Sequence, residues 1–399
     1  MINEIGEIAL AKFQNFSKAE LCLTRKSVKD MDEDFLTKKL HERKDQHAIR
    51  SLKLPAKGMI DFCSNDYLGI VKRNLLERTD HLQKATRPGS TGSRLLSGNY
   101  ALIEEAERYI AGFHEAQTAL IFNSGYDANF GLLSCIPQRG DLVLYDNLSH
   151  ASIRDGIRLS FATSFSFQHN DLEDLDKKLE TYPLAERKNI FVVTESVFSM
   201  DGDLAPLREM TSLCKKKDAH LVIDEAHASG VIGQKGEGLV QQLHLQDQCF
   251  ARIHTFGKAL GVHGAAVLGS TRLREYLINF CRPFIYTTAL PESTITHILE
   301  SYHLFPSLDE ERNILKELIS AFQVSSCRFQ KLNSNTPIQA VIVPGNDQAK
   351  AVAEMLQQNK FDVRAILYPT VPRGQERLRI VLHAFNTIEE ISALAMLLR

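Results

Sequence analysis

The chain has 399 residues, 44% of them hydrophobic and 24% charged. This is an ordinary globular composition, long enough for two or three domains or for one large domain with an appendage. A formal net charge of −2 argues against a nucleic-acid surface or a polybasic membrane patch, and no apolar run approaches the roughly 18 residues of a membrane span.

The N-terminal residues Met1–Glu7 contain no basic stretch leading into an apolar one, so no secretory signal is expected. The seven cysteines, at positions 22, 63, 135, 214, 249, 281 and 327, are odd in number and widely spread. None has Cys-x-x-Cys spacing, so neither a metal site nor a disulfide framework is expected, and reduced thiols in a cytoplasmic protein are the simplest reading. Residues 1 to about 50 are charged and mostly helical in pattern, with Asp30–Asp45 read as a solvated helix. Pro55 and Gly58 mark a turn. Met59–Cys63 reads as a short strand leading into Ser64-Asn65-Asp66-Tyr67-Leu68-Gly69. The small residues of Arg87–Arg94 predict an irregular loop, and Tyr100–Phe113 has helical periodicity with acidic residues near its start.

From Thr118 the texture changes. Ala119–Phe122, Leu142–Tyr145, Ile190–Thr194, Leu221–Ile223 and Ala265–Leu268 are short apolar runs, and patterns of helical length separate the first four. Alternation of this kind predicts an α/β fold with a mostly parallel sheet covered on both faces. After Pro283 the pattern shifts. Helical stretches from Pro291 to Leu332 precede short strands near Ile338–Val343, Val363–Leu367 and Leu378–Leu382, which predicts a smaller α+β domain. The expected organisation is a helical segment over 1–58, a large domain over 59–288 and a C-terminal domain over 289–399.

In such a sheet ligands sit beyond the carboxyl ends of the strands, so the polar residues that follow each strand should converge. After the first strand comes Ser124-Gly125-Tyr126, either an ordinary helix cap or a phosphate site at a helix N-terminus. After the second comes Asp146-Asn147-Leu148-Ser149-His150, whose histidine alone would read as structural. Glu195 and Ser199-Met200-Asp201-Gly202-Asp203 follow the third, and Asp224-Glu225-Ala226-His227 the fourth. Lys258 lies in a glycine-flanked loop, Thr255-Phe256-Gly257-Lys258. By itself it is a surface lysine; held out of water it would be an amine of lowered pKa able to form a Schiff base. Asp224–His227 also spells the acidic box of a helicase. That reading needs a Gly-x-x-x-x-Gly-Lys-Ser/Thr loop, which the chain lacks. Pyridoxal phosphate suits the whole set: an aspartate for its ring nitrogen, an imidazole on its face, a lysine for its aldehyde, and helix N–H groups and hydroxyls for its phosphate.

These stretches, together with Phe62–Gly69, Gly89–Gly98, Glu195–Asp203, Phe284-Ile285-Tyr286-Thr287-Thr288, Pro369-Thr370-Val371-Pro372 and Arg377-Leu378-Arg379, resemble the α-oxoamine synthase family, a branch of the fold-type I pyridoxal-phosphate enzymes. The resemblance runs from about residue 45 to 399. It implies a fold-type I transferase with a mostly parallel seven-stranded sheet and a smaller α+β C-terminal domain. It also implies that Lys258 holds the cofactor and moves protons at the substrate α-carbon, that Asp224 keeps the ring nitrogen protonated, and that His150 stacks on the ring. His227 and Ser199 would lie near the phenolic oxygen. Gly125, Tyr126 and Thr255 would hold the phosphate, with Thr287 or Thr288 reaching it from a neighbouring subunit. Asn65 and Glu195 would line the site, Arg379 (or Arg377, two residues away) would bind the amino-acid carboxylate, and Arg50 would help bind the acyl substrate. The implied reaction joins an amino acid to an acyl-CoA or acyl-carrier protein with loss of carbon dioxide, in a homodimer with shared active sites. The nearest likeness is to the biotin-pathway branch, which uses L-alanine and a pimeloyl thioester; other branches use glycine or serine. A catalytically silent homologue is disfavoured by the presence of Lys258, Asp224 and His150 together.

Overall fold

The computed structural model describes residues 33–54, 57–76, 87–181 and 189–399. Cys22, Pro55 of the expected turn and the first residues of the expected 30–45 helix lie outside them. The chain forms two compact units, Met1–Lys53 and Leu54–Arg399; the second spans both of the parts expected at 59–288 and 289–399. In the first unit, helix α1 (Asp34–Asp45) buries none of its residues. Its apolar side chains Phe35, Leu36 and Leu40 are exposed.

In the second unit, β1 (Ile60–Asp61) precedes α2 (Ala101–Phe113) and a seven-stranded sheet. The sheet comprises β2 (Thr118–Phe122), β3 (Leu142–Asp146), β4 (Thr163–Phe167), β5 (Ile190–Glu195), β6 (His220–Asp224), β7 (Ala251–Thr255) and β8 (Ala265–Gly269), in the order β2-β8-β7-β6-β5-β3-β4. β8 runs antiparallel to both of its neighbours, and every other pairing is parallel. Helices α3 (Gly125–Cys135), α4 (Ala151–Leu159), α5 (Leu172–Thr181) and α6 (Leu207–Lys216) follow β2, β3, β4 and β5 in turn, and α7 (Thr271–Phe280) follows β8.

The apolar runs read in the sequence owe their continuity to burial on both faces. Ile190 and Val192 of β5 join one core, while Phe191 and Val193 join another on the opposite face. Leu221 and Ile223 of β6 divide from Val222 in the same way, as the two-residue period of a strand requires.

Beyond Pro291 the chain forms α8 (Glu292–Leu304), a 3₁₀ turn at Phe305–Ser307 and α9 (Asp309–Val324). The helical stretch ends at Val324, short of Leu332, because Gln330–Lys331 forms strand β9. Strand β9 edges a four-stranded antiparallel sheet with β10 (Ile338–Ile342), β12 (Arg364–Ile366) and β13 (Arg377–Val381), ordered β12-β13-β10-β9. Helices α10 (Asn346–Gln358) and α11 (Ile388–Leu397) complete this part. Strand β1 pairs in parallel with β11 (Phe361–Asp362). Val381 N–H donates to Phe62 O (2.9 Å) and Ala384 N–H to Tyr67 O (2.8 Å). One scaffold therefore carries both the Ser64–Gly69 segment and Arg379.

Candidate active site

A cavity of about 290 Å³ opens at the carboxyl ends of the parallel strands, where the topology places ligands. Its walls include Asn65, Gly125, Tyr126, His150, Glu195, Asp224, His227, Thr255 and Lys258. These come from six separate stretches of sequence.

Gly125 and Tyr126 open α3. Ser124 caps the helix by accepting the amide of Asp127 (3.0 Å). The Gly125 and Tyr126 amides have no intrahelical acceptor at this position and carry the positive end of the helix dipole. Thr255, at the end of β7, packs directly on Gly125: a Cβ added to the glycine would stand 2.4 Å from Thr255 Cγ2.

Asp224 ends β6, nearly fully buried. Its Oδ1 accepts the amide of Ala226 (2.8 Å) and its Oδ2 the side-chain amide of Asn129 (2.6 Å). His150 caps α4. Its backbone N–H donates to Glu195 Oε1 (2.6 Å), and its Nδ1 accepts the Ser152 amide (3.2 Å). Burial is the main force lowering the His150 pKa. Burial first, then the negative charge of Asp224, pushes Glu195 up to about 8. Lys258 is shifted down from the ordinary lysine range, chiefly by burial, with Asp224 and Glu195 opposing that shift and Arg379 adding to it.

His227 is held at Nδ1 by Tyr67 Oη (2.6 Å), and Tyr67 also donates to Asn65 Oδ1 (3.1 Å). Arg379 reaches the same Asn65 oxygen through Nη2 (2.9 Å) and donates from Nε to Ser199 O (2.7 Å). Burial holds Tyr67 up at about 12 and His227 well below the usual histidine value. Neighbouring Arg377 is turned to Asp201 and to Gln375 O instead.

Of the expected residues in this unit, Ser199, Thr287, Thr288 and Arg379 lie off this cavity's walls. Ser199 meets Arg379 through its carbonyl. Thr287 and Thr288 are held elsewhere by Asn123, whose Nδ2 donates to Thr287 Oγ1 (3.0 Å) and Thr288 O (2.9 Å). Arg50 belongs to the N-terminal unit. Conversely, Asn129, Ser152 and Tyr67 are engaged here without having been assigned a role from the sequence. The signal for Asn129 is its spacing: four residues after Gly125 on a helix, it shares that residue's face.

Sheet order, strand-end carboxylates and a half-buried lysine in one cavity with a helix N-terminus together define a pyridoxal-phosphate type of fold. Residues 57–397 match the aminotransferase class I and II family, and the chain belongs to the α-oxoamine synthases within it. It is 40% identical over 388 residues to an 8-amino-7-oxononanoate synthase of Emericella nidulans, covering 90% of this chain and 93% of that one. An 8-amino-7-oxononanoate synthase structure from Francisella tularensis superposes with a TM-score of 0.71 at 28% identity, over 86% of this chain and 97% of that one. Serine palmitoyltransferase from S. paucimobilis, solved with a bound PLP–myriocin aldimine, gives a TM-score of 0.78 at 28% identity, over 92% and 96% of the two chains.

Proposed function

We propose that this chain condenses L-alanine with a pimeloyl thioester, carried on CoA or a carrier protein, to give 8-amino-7-oxononanoate, carbon dioxide and free thiol. It is a pyridoxal-phosphate-dependent acyltransferase of biotin synthesis. The observation that carries the cofactor assignment is the donor set of the cavity. Asp224 is a buried carboxylate held by two neutral N–H donors, which leaves its charge for the protonated ring nitrogen. The α3 amides and Thr255 suit the phosphate, and Lys258 is the amine that would hold the aldehyde.

When bound, the cofactor supplies an electron sink for the pair left at the amino-acid α-carbon. Lys258 Nζ removes the α-proton. Its lowered pKa keeps a share of the amine neutral for that task. We assign the amino-acid carboxylate to Arg379, whose fork is oriented by Ser199 O and Asn65 Oδ1. We assign Arg377 to the ion pair with Asp201, and we keep acyl-substrate binding by Arg50 as a proposal. The α-carbon then displaces the thiolate from the thioester carbonyl, the thiolate takes a proton from solvent, the carboxylate leaves as carbon dioxide, and Lys258 returns its proton to the α-carbon.

The test is the absorbance spectrum of the protein with pyridoxal phosphate, repeated with alanine, glycine and serine in turn. A visible band is expected, shifted by alanine alone, and borohydride treatment should leave the cofactor mass on the peptide containing Lys258. A shift with serine or glycine instead would overturn the substrate assignment, and the absence of any band would overturn the enzyme.

We also propose a homodimer with shared sites. Supporting it, Thr287 and Thr288 are absent from the walls of their own chain's cavity, Tyr286 beside them is exposed (72%), and so are Leu95 (50%) and Leu96 (85%) of the loop bonded to this segment through Ala289 N–H and Gly92 O. Light scattering is expected to give twice the chain mass; a fully active monomer would contradict it. A cytoplasmic location is likewise our reading, supported by the six free cysteines among the described residues.

A further inference from the structure

We propose that Asn129 is a positioning residue. Its side-chain amide aligns the carboxylate that meets the cofactor's ring nitrogen and, through Ser152, sets the orientation of the imidazole on the ring face. The inference rests on the pyridoxal-phosphate reading above.

Asn129 is 2% exposed and lines the cavity. Its Nδ2 donates to Asp224 Oδ2 (2.6 Å) and to Ser152 Oγ (3.1 Å). The flipped amide would turn Oδ1 on the carboxylate, so the Asp224 contact fixes the orientation. Oδ1 itself has no partner among the described residues. A buried acceptor left unmet is costly, so the two donated bonds justify an amide here.

The contact exists because α3 and α4 meet closely. A Cβ at Gly156 of α4 would stand 3.0 Å from Leu133 Cβ and 3.1 Å from Asn129 O. With its oxygen accepting from Asn129, Ser152 turns its own proton to His150 Nδ1 (2.8 Å), and the Ser152 amide points at the same nitrogen (3.2 Å). Two donors on Nδ1 place the imidazole proton on Nε2 and keep His150 neutral. One side chain therefore ties the phosphate helix to the ring-nitrogen carboxylate and to the stacking imidazole.

The test compares Asn129→Asp and Asn129→Ala with the wild-type holoenzyme by the dissociation constant for pyridoxal phosphate, from mildly acidic to alkaline pH. The titratable groups that share the cavity wall with Asp224 are Tyr126, His150, Glu195, His227, Lys258 and His263, and they are common to all three proteins. In Asn129→Asp two carboxylates stand in hydrogen-bond contact and repel when both are ionised, so the pair holds a shared proton with a raised pKa. Below that pKa the hydrogen bond is restored and affinity should approach wild type. Above it the proton leaves, and affinity should fall by about tenfold or more. Asn129→Ala should be weakened at every pH. Failure of the wild type to bind pyridoxal phosphate would sink the functional reading. A wild type that binds, with an Asn129→Asp variant that matches it at all pH or is weakened without pH dependence, would overturn the role of Asn129 alone. Should Asn129→Asp not fold, Ser152→Ala serves: the residue-152 amide stays on His150 Nδ1, so the Nε2–H tautomer should persist with a shifted Nδ1 ¹⁵N resonance from loss of the hydroxyl donor, and an unchanged Nδ1 resonance would refute the link.

Discussion

A Lys258→Ala protein is expected to lose turnover by about 10⁴-fold or more, because proton transfer at the α-carbon loses its base. Lys258 is the one lysine among the described residues of the cavity wall, so no neighbouring amine stands ready to replace it. The substitution also removes the cation that opposes the upward shift of Glu195, so that carboxyl should hold its proton to a still higher pH. Lys258→Arg separates the two effects. It keeps a positive charge near Asp224 and Glu195, but a guanidinium does not deprotonate and cannot take the α-proton. It should therefore be as inactive as the alanine variant while retaining more of the wild-type affinity for the cofactor. Steady-state product formation by either variant at near wild-type rate would defeat the assignment. An unchanged thermal midpoint would show that the loss is chemical and not a failure to fold.

Which parts of this arrangement the sequence displays follows from how each is buried. Strands β3, β5, β6 and β8 announce themselves because their side chains meet apolar cores on both faces. Strand β7 does not. Its Arg252 and His254 are buried polar groups, with Arg252 donating to His114 O (2.6 Å) and the rings of His114 and His254 lying 3.9 Å apart. A strand that packs one face into a polar cluster has no apolar run to read. Strand β4 is hidden for the opposite reason: it is the sheet's edge, and Thr163–Ser166 are exposed. The strand-end residues Glu195 and Asp224 could be placed at one site once the sheet was expected, since parallel strands bring their carboxyl ends together; Thr255, at the end of the unread β7, came only with the family resemblance. The residues that position them could not. Asn129, Ser152 and Tyr67 act through hydrogen bonds to side chains 95, 23 and 160 positions away in the chain (Asn129 to Asp224, Ser152 to Asn129, Tyr67 to His227). No local pattern encodes such pairings. Nor did spacing separate Arg377 from Arg379, which point to the same face of β13; their partners Asp201 and Asn65 do so.

Gly125→Ala is expected to weaken pyridoxal phosphate binding by up to about a hundredfold, the equivalent of the roughly 1–3 kcal/mol of overpacking a tight site. The new methyl would stand 2.4 Å from Thr255 Cγ2, and the next atom it meets, Thr255 Cβ, is at an ordinary 3.6 Å. One methyl group is thus the whole obstruction. It sits on a short β-branched side chain at the end of a fully buried strand, which cannot swing aside as a long flexible one would. Relief must come from moving the first turn of α3, and that turn holds the amides offered to the phosphate. The cost should therefore fall on cofactor affinity more than on folding. Thr255→Ser removes the obstructing Cγ2 and keeps the hydroxyl, so the double variant Gly125→Ala/Thr255→Ser should recover most of the affinity lost by Gly125→Ala. A spectroscopic titration of the four proteins, wild type included, measures the coupling directly. If the double variant is no better than Gly125→Ala alone, the steric account of this wall is wrong, and the glycine must be needed for a reason other than contact with Thr255.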